Sequence, residues 1–252
     1  DWIEAGCSCA CSNGTCIDRE QAYEALKQSA MLGERGMDLR MKYGYIPCDL
    51  FNEAVAYDME YALADWAVAQ VAKELGKTAD YDHFLERSKS YRHFFDPQTR
   101  FMRGLDSKGR FRTPFNPFAS THREDDYCEG NAWQYTWLVP HDVEGMVELM
   151  GGREAVLRDL TEFFDKTPSD MLWNDYYNHA NEPVHLVPFL FNRLGQPWQT
   201  QKWTRHICEK AYADKVEGIV GNEDAGQMSA WYVLAAAGLH PACPGDTRME
   251  IT

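Results

Sequence analysis

The chain has 252 residues, of which 44% are hydrophobic and 13% aromatic, so it is long enough to bury a substantial core in one large domain or two small ones. The formal net charge of -14 argues against a nucleic-acid partner, because no basic patch lies among the aromatic residues; an acidic surface also suits cation binding. No apolar run is long enough to span a membrane, so no membrane partner is expected.

The chain opens on Asp1-Trp2 without an initiator Met or a signal peptide, which predicts a processed form or a fragment. Four of its eight cysteines crowd into residues 1–17, and this segment is predicted to be a Cys-rich, flexible N-terminal loop. The spacing matches no zinc pattern and the even count does not show that any are paired, so their role and redox state stay open. The crowded cysteines are Cys7, Cys9, Cys11 and Cys16; the scattered ones are Cys48, Cys128, Cys208 and Cys243.

Hydrophobic residues recur at helical spacing along the rest of the chain and predict about nine helices with almost no strand. Asp18 and Gln21 resemble a capping box at the start of the first helix. The one predicted β element is a hairpin in which residues 101–103 and 110–112 flank a turn. Besides the short helical segment 35–42, the predicted helices are 18–30, 53–75, 78–95, 133–138, 143–150, 153–166, 182–194, 197–213 and 226–239.

The helix count and the polar loops favour an all-α toroid of paired helices over a four-helix bundle, which has fewer helices and shorter loops. Each polar motif of the chain precedes a predicted helix. In such a toroid, alternate helix N-termini come together at one end and form a central funnel. No sequence repeat supports this topology, so it rests on the helix count and on the chemistry of the loops.

The stretch 122–142 carries four carboxylates directly before an aromatic run. A sugar-cleaving site needs this combination, because a carboxylic acid protonates the leaving oxygen and aromatic faces stack on a pyranose. An acidic cluster that complements a helix dipole explains the same pattern, and this stretch alone does not decide between the two. The carboxylates are Glu124, Asp125, Asp126 and Glu129; the aromatic residues are Trp133, Tyr135 and Trp137.

Two further stretches repeat this design and favour the first interpretation. Residues 221–232 place Asn222, Glu223 and Asp224 on a Gly-bounded loop before an aromatic helix. Residues 181–185 again place oxygen ligands at a helix start, with Pro at an early helical position. The three polar loops are therefore expected to converge on one pocket.

With these motifs identified, the chain resembles the catalytic domain of glycoside hydrolase family 92, the calcium-dependent exo-α-mannosidases. The matching segments follow the family order from about residue 18 to residue 245. The resemblance implies an (α/α)6 toroid packed against an N-terminal β-sandwich, and it makes residues 18–252 a partial catalytic domain that lacks the sandwich and the earliest helices. The segments are 44–47, 101–104, 122–127, 129–135, 139–142, 181–183, 195–198 and 221–232.

The resemblance also implies an inverting hydrolysis of terminal α-linked mannose from mannosides or N-glycans. Glu129 takes the position of the general acid, with Asp125 and Asp126 expected to raise its pKa together with partial burial. Asp224 takes the position of the general base, ahead of its neighbour Glu223. An inverting reaction needs room for water, so their carboxyl groups are expected roughly 6.5–9.5 Å apart. The expected substrate-binding residues are Trp133, Gln134, His185, Glu223, Asp125 and Asp126.

Calcium is the implied cofactor, and it requires hard oxygen ligands. By resemblance and by chemistry, Asn181 and Glu182 are the expected ligands, with Gln227 as a weaker candidate. The chain departs from the family at His185-Leu186, where members commonly carry two consecutive His, and at Cys128, directly before the expected acid.

Two alternatives stay open beside the mannosidase. One is another (α/α)6 glycosidase that acts on α-glucosides with the same paired carboxylates and aromatic residues. The other is a non-catalytic carbohydrate-binding fragment, since the missing β-sandwich is the expected partner that completes the pocket. The usual substrates of the family imply a secreted or periplasmic location.

Overall fold

The computed structural model describes residues 18–241 and 243–252. The predicted Cys-rich segment 1–17 lies outside the described residues. Among those that are described, no helix combines the length and the apolar character that crossing a bilayer would need.

Helices dominate the described chain, as predicted for an all-α fold. Ten α-helices fall in these ranges, joined by loops and by short 3-10 turns. They are α1 (Arg19–Ala30), α2 (Met37–Tyr43), α3 (Ala54–Glu74), α4 (Thr78–Arg87), α5 (Ala132–Tyr135), α6 (Val143–Leu149), α7 (Arg153–Asp165), α8 (Leu190–Arg193), α9 (Pro197–Lys210) and α10 (Gln227–Ala236).

Side-chain caps mark several helix starts that the sequence predicts. Asp18 accepts a hydrogen bond from the Gln21 backbone at the start of α1. Asp142 does the same for Gly145 at α6, which satisfies one of the free N–H groups of the first turn.

The predicted helix 182–194 is wrong. The structure breaks it into two 3-10 turns, Glu182–Val184 and Val187–Phe189, followed by the short α8. Pro188 lacks a backbone N–H and its ring collides with the preceding turn, so a continuous α-helix cannot pass through it.

The expectation of at most one β-hairpin is also wrong, because the described chain has two. Strand β1 (Phe95–Asp96) pairs antiparallel with β2 (Phe101–Met102), and β3 (Leu239–Pro241) pairs with β4 (Met249–Ile251). Residues 101–103 therefore pair with the strand before them and not with 110–112. Residues 110–112 instead bond to residues 104–106, through the bridge between Leu105 and Phe111 and a 2.8 Å hydrogen bond from the Arg112 N–H to the Gly104 carbonyl.

The physical reason for this pairing is the turn between β1 and β2. The Asp96 carboxylate accepts hydrogen bonds from the Gln98 backbone at 3.0 Å and the Thr99 hydroxyl at 2.8 Å. The Arg100 N–H closes the turn on the Asp96 carbonyl at 2.7 Å. Such a side-chain-closed turn fixes the register of the two strands that flank it.

The main core is aromatic and lies under the loops that carry the polar motifs. Phe163, Phe164, Tyr177 and Trp231 are almost completely buried. Phe164 and Tyr177 stack with ring centres 5.1 Å apart. Full burial of one such side chain stabilises the fold by about 1.5–3 kcal/mol, so this cluster fixes the platform of the polar loops.

A buried ion network joins α2, α3 and α4. The Arg40 guanidinium lies 3.0 Å from Asp58 and 2.5 Å from Asp65, and Arg87 reaches Asp65 at 2.6 Å. Asp58 also accepts the Ile46 backbone N–H at 2.7 Å. These contacts pair charges that would otherwise be costly to bury, and they fix how the three helices meet.

Candidate active site

Three polar loops of the sequence meet near one cavity of about 610 Å³. The carboxyl group of Glu182 lies beside that of Asp224, and the negative charge of Glu129 also acts on it. One residue from each of the three loops therefore lies in this region. The polar residues in the cavity wall are Glu60, Glu182, His185, Asp224, Gln227, His240 and the indole-bearing Trp231.

Glu129 is held at the start of α5 through its backbone. Its φ of 55° lies in the left-handed region, and its carbonyl accepts a hydrogen bond from the Asn181 side chain. Asn131 and Gln134 form a capping box directly after it. The Glu129 side chain itself is exposed, so the prediction that it is partly buried is wrong.

Glu182 has the most perturbed environment of the three carboxyl groups. Its Oε1 is buried and has no hydrogen-bond partner among the described residues. Burial, a hydrogen bond with Asp224 and the charges of Asp224 and Glu129 raise the pKa of Glu182. Glu182 therefore holds a proton more firmly than an isolated glutamate does.

Asp224 lies on a loop that is packed tightly against the loop carrying Glu182. Its φ is 42°, and the φ of Gly221 is 84°. A Cβ atom on Gly221 would lie 2.7 Å from the Cβ of Ala180, which is closer than non-bonded carbons approach. Only Gly therefore fits where the two loops touch.

Glu223, expected to contact substrate, has a structural partner here. Its carboxylate accepts hydrogen bonds from the backbone and the hydroxyl of Ser229, at 3.0 and 2.9 Å. Both bonds lie in the first turn of α10, where a negative charge is favourable. The Glu223 carboxylate is therefore engaged in capping this helix.

His185 is buried, and its two ring nitrogens are occupied. Nε2 lies 3.0 Å from the His179 carbonyl, and Nδ1 lies 3.2 Å from the Gln227 amide nitrogen. Because a carbonyl only accepts and an amide nitrogen only donates, this network assigns the proton to Nε2. Burial lowers the pKa of His185 to about 4, so the ring is neutral at neutral pH. The Gln227 side-chain oxygen is thereby left available to a ligand.

His179 was given no role from the sequence, although it supports His185. Its ring nitrogens lie 2.8 Å from the Tyr177 hydroxyl and 2.7 Å from the Tyr212 hydroxyl. Tyr177 is 2 residues and Tyr212 is 33 residues away in the sequence. No local sequence pattern therefore predicts that two tyrosine hydroxyls hold the His179 ring.

Asp125 and Asp126 are used to hold their own loop. Asp126 lies 3.0 Å from Arg112 and accepts the Gly104 N–H, and burial raises the pKa of its carboxyl. Asp125 accepts the backbone N–H groups of Thr121 and Tyr127. Neither lines the cavity that Glu182 and Asp224 share.

Trp133 and Gln134 likewise have partners away from that cavity. Trp133 packs edge-on to Phe101 at 4.9 Å between ring centres and borders a separate cavity of about 220 Å³. The Gln134 amide donates to the carbonyls of Asn174 and Tyr176. Both side chains therefore shape the loops around Glu129.

Glu60 is a site residue that the sequence reasoning missed. It lies on α3, within a long and mainly apolar helix, and it forms part of the cavity wall. The side chain is accessible to solvent, but the concave protein surface displaces bulk water around it, and this desolvation raises the pKa of its carboxyl. A single acid on a helix resembles a solvated surface residue, so no sequence pattern marks Glu60 as part of the site.

The oxygen donors in this region fit a calcium ion. Glu182 contributes an unpartnered buried oxygen, and the Asp224 carboxyl lies beside it. The amide nitrogens of Asn181 and Gln227 are engaged with Glu129 and His185, which leaves their side-chain oxygens for a cation. Calcium prefers carboxylate and amide oxygens of this kind.

Comparisons with known proteins identify the family of the chain. A model of the glycosyl hydrolase family 92 catalytic domain matches residues 8–252. The chain belongs to glycosyl hydrolase family 92. A family 92 α-mannosidase of Bacteroides thetaiotaomicron, solved in complex with mannoimidazole, is 39% identical with a TM-score of 0.88, over 95% of this chain and 33% of that one.

Two further relatives extend the comparison. A family 92 inverting mannosidase of the same bacterium is 33% identical with a TM-score of 0.82, over 94% of this chain and 35% of that one. An uncharacterized secreted glycosidase of Arthroderma benhamiae is 27% identical, over 89% of this chain and 33% of that protein. This family 92 chain thus spans about a third of the length of these relatives. The predicted all-α toroid of the family is confirmed.

Proposed function

We propose that the protein to which this chain belongs hydrolyses terminal α-linked mannose, with Glu129 as general acid and Asp224 as general base. The observation that carries the proposal is the meeting of Glu129, Glu182 and Asp224 from three separate loops. Two related proteins of known structure are an α-mannosidase and an inverting mannosidase. Mannosides and N-glycans with terminal mannose are the proposed substrates.

The proposed reaction inverts the anomeric carbon in a single displacement. Glu129 donates its proton to the glycosidic oxygen as the bond from that oxygen to the anomeric carbon breaks. Asp224 accepts a proton from the water that forms the new bond on the opposite face of the sugar. This geometry requires carboxyl groups roughly 6.5–9.5 Å apart, and general acid–base catalysis of this kind contributes about 10²–10⁴-fold.

Calcium is the proposed cofactor, held by Asn181, Glu182 and Gln227. When bound, it would chelate sugar hydroxyls and favour a distorted ring. The residues of the chain prepare this site in two ways. His185 holds the Gln227 nitrogen, so that the Gln227 oxygen is free, and Glu182 offers a buried oxygen that would be ionised when the cation binds.

Mannose release from an aryl α-mannoside tests the proposal. The assay compares the chain alone with the chain joined to the N-terminal β-sandwich of a family 92 relative, each with calcium and with a chelator. Glu129→Gln and Asp224→Asn should each lower kcat by about 10²–10⁴-fold. Glu124→Gln is the matched control, because Glu124 is exposed on the same loop. Equal rates for Glu129→Gln and Glu124→Gln would exclude Glu129 as the acid.

Calcium titration calorimetry gives a readout that does not depend on activity. Glu182→Gln should weaken calcium binding, whereas Glu124→Gln should not. Activity that survives the chelator would contradict the calcium dependence while leaving the hydrolase proposal intact.

The same two proteins, the chain alone and the joined form, also distinguish two other functions. Release of glucose from an aryl α-glucoside in preference to mannose would indicate a glucosidase of the same fold. Mannose binding without turnover, in both the chain and the joined form, would indicate a carbohydrate-binding protein. We propose a secreted or periplasmic location, supported by the relative described as a secreted glycosidase.

A further inference from the structure

A second group of potential metal ligands lies at the start of α3. One ligand atom from each of Glu53, His122 and Cys128 falls within 4.8 Å of the other two. His122 Nδ1 is 3.0 Å from Glu53 Oε1 and 4.0 Å from Cys128 Sγ. None of the three lines the cavity of Glu182 and Asp224.

Backbone contacts hold the two segments that carry these ligands against each other. The Glu53 N–H donates to the Asp125 carbonyl at 2.7 Å, and the Glu53 carboxylate accepts the Arg123 N–H at 2.8 Å. The Asn52 amide donates to the Arg123 carbonyl at 2.7 Å. The ligands are thus brought together by fixed main-chain positions and not by chance contact of mobile side chains.

The cluster combines a buried anchor with a route from solvent. Glu53 is only 6% exposed, whereas the His122 side chain is 53% exposed. Glu53 and Arg123 also border a surface cavity of about 560 Å³. A hydrated cation can therefore reach the ligands without opening the core.

The donor set distinguishes this cluster from the calcium site. A thiol, an imidazole and a carboxylate supply sulfur, nitrogen and oxygen, which together suit Zn²⁺ and related ions, whereas calcium prefers oxygen alone. Three protein ligands leave a fourth tetrahedral position for water.

We propose that Glu53, His122 and Cys128 form a binding site for a thiophilic divalent cation such as Zn²⁺. On binding, Cys128 Sγ gives up its proton to solvent and coordinates as thiolate. His122 coordinates through Nδ1 and carries its proton on Nε2, and Glu53 contributes Oε1. The thiolate and the carboxylate together balance the two positive charges of the ion.

The site adjoins the residue proposed as the general acid. Cys128 directly precedes Glu129, and its carbonyl accepts a hydrogen bond from the Tyr135 hydroxyl. A bound cation ties Cys128 to the start of α3 and restricts the backbone that carries Glu129. This effect on Glu129 rests on the proposed function, whereas cation binding itself does not.

Titration with Co²⁺, a spectroscopic substitute for Zn²⁺, tests the site without an activity assay. The background is the full chain with Cys7, Cys9, Cys11 and Cys16 replaced by Ser, so that no other cysteine cluster competes. The expected result is a thiolate-to-cobalt charge-transfer band in the near ultraviolet, displaced by stoichiometric Zn²⁺.

Single substitutions then assign the ligands. Cys128→Ser should abolish the band, while Cys208→Ser, which removes another partly buried free thiol, should leave it unchanged. His122→Gln should weaken Co²⁺ binding by more than the roughly 10–100-fold that loss of an outer partner costs. His122 is exposed enough to be replaced without disturbing the core, and circular dichroism confirms folding of each variant.

The proposal is overturned if the background protein gives no thiolate band with Co²⁺. It is also overturned if the band survives Cys128→Ser, or if His122→Gln binds Co²⁺ as tightly as the background. A protein that loses mannosidase activity but keeps the band separates failure of the proposed function from failure of this site.

Discussion

The side-chain amide of Asn181 donates a hydrogen bond to the backbone carbonyl of Glu129, across 52 residues of sequence. The bond holds the backbone of the proposed acid in place and does not involve its carboxyl group, which stays available to a substrate. Asn181 is thus a positioning residue for Glu129, in addition to its proposed role as a calcium ligand. The side-chain nitrogen of Asn181 contacts the proposed acid, and its side-chain oxygen is left for the proposed cation site.

Asn181→Asp separates these two roles. The carboxylate keeps an oxygen for calcium but loses the N–H donor to Glu129. An unpartnered carbonyl in this region costs about 1–3 kcal/mol, so the free energy of unfolding should fall by that amount while calcium still binds. Urea unfolding and calcium calorimetry measure the two effects, with Asn222→Asp in the neighbouring exposed loop as control. Unchanged stability in Asn181→Asp would show that the bond to Glu129 contributes nothing.

The raised pKa of Glu182 predicts how stability depends on pH without calcium. The folded protein retains a proton on Glu182 at pH values where the unfolded chain has lost it. The stabilising contribution is therefore complete below the ordinary glutamate pKa of 4.5 and is lost as pH rises through the raised value. Glu182→Gln cannot ionise, so its stability should fall less over the same range.

Chemical unfolding in a chelator across the mildly acidic and neutral range measures this difference. Calcium binding should show the opposite trend and strengthen with rising pH, because the ion requires ionised carboxylates. Parallel stability profiles for the wild type and Glu182→Gln would mean that Glu182 does not hold the proton.

The left-handed backbone at Glu129 predicts a conflict between stability and activity. A side chain with a Cβ atom is strained at its φ of 55°, whereas Gly is not. Glu129→Gly should therefore raise the free energy of unfolding by about 0.5–1 kcal/mol while removing the proposed acid. Urea unfolding checks the gain. Glu124→Gly, on the same loop but without a positive φ, should instead lose stability.

The buried ion network should be the most sensitive part of the α2–α3–α4 packing. Asp65→Ala leaves the Arg40 and Arg87 guanidinium groups without the carboxylate that both contact, and loss of one buried partner costs about 3–5 kcal/mol. Removing the exposed partner of Arg205 by Glu209→Ala should cost less than about 1 kcal/mol. Thermal or urea unfolding compares the two variants directly. Similar losses would show that burial does not distinguish the pairs.

The sequence predicted what is encoded locally. Asp18 caps α1 where expected, since a cap depends on residues within one turn. The convergence of the loops around Glu129 and Asp224 was also predicted, because three polar motifs each precede a predicted helix. The roles of the two residues came from the family resemblance. Pro188 was visible in the sequence, and its effect on the predicted helix 182–194 was overlooked.

The rest depends on contacts between distant residues. Asp126 was expected to contact substrate, but its carboxylate contacts the Arg112 side chain and the Gly104 N–H. Hydrophobic periodicity does not predict partners of this kind. Glu53 and His122 approach within 3.0 Å although 69 positions separate them in the chain. Only the folded arrangement of α3 and the loop beside it brings such groups together.

The contact between Gly221 and Ala180 bears on how family 92 members can be recombined. A Cβ at residue 221 would lie 2.9 Å from the Ala180 carbonyl oxygen as well as 2.7 Å from its Cβ, so each loop is shaped to the surface of the other. A chimera that takes residues 178–185 from one homologue and 218–227 from another risks a collision at this point. The two segments fit each other closely, so they should be exchanged together when substrate preference is engineered.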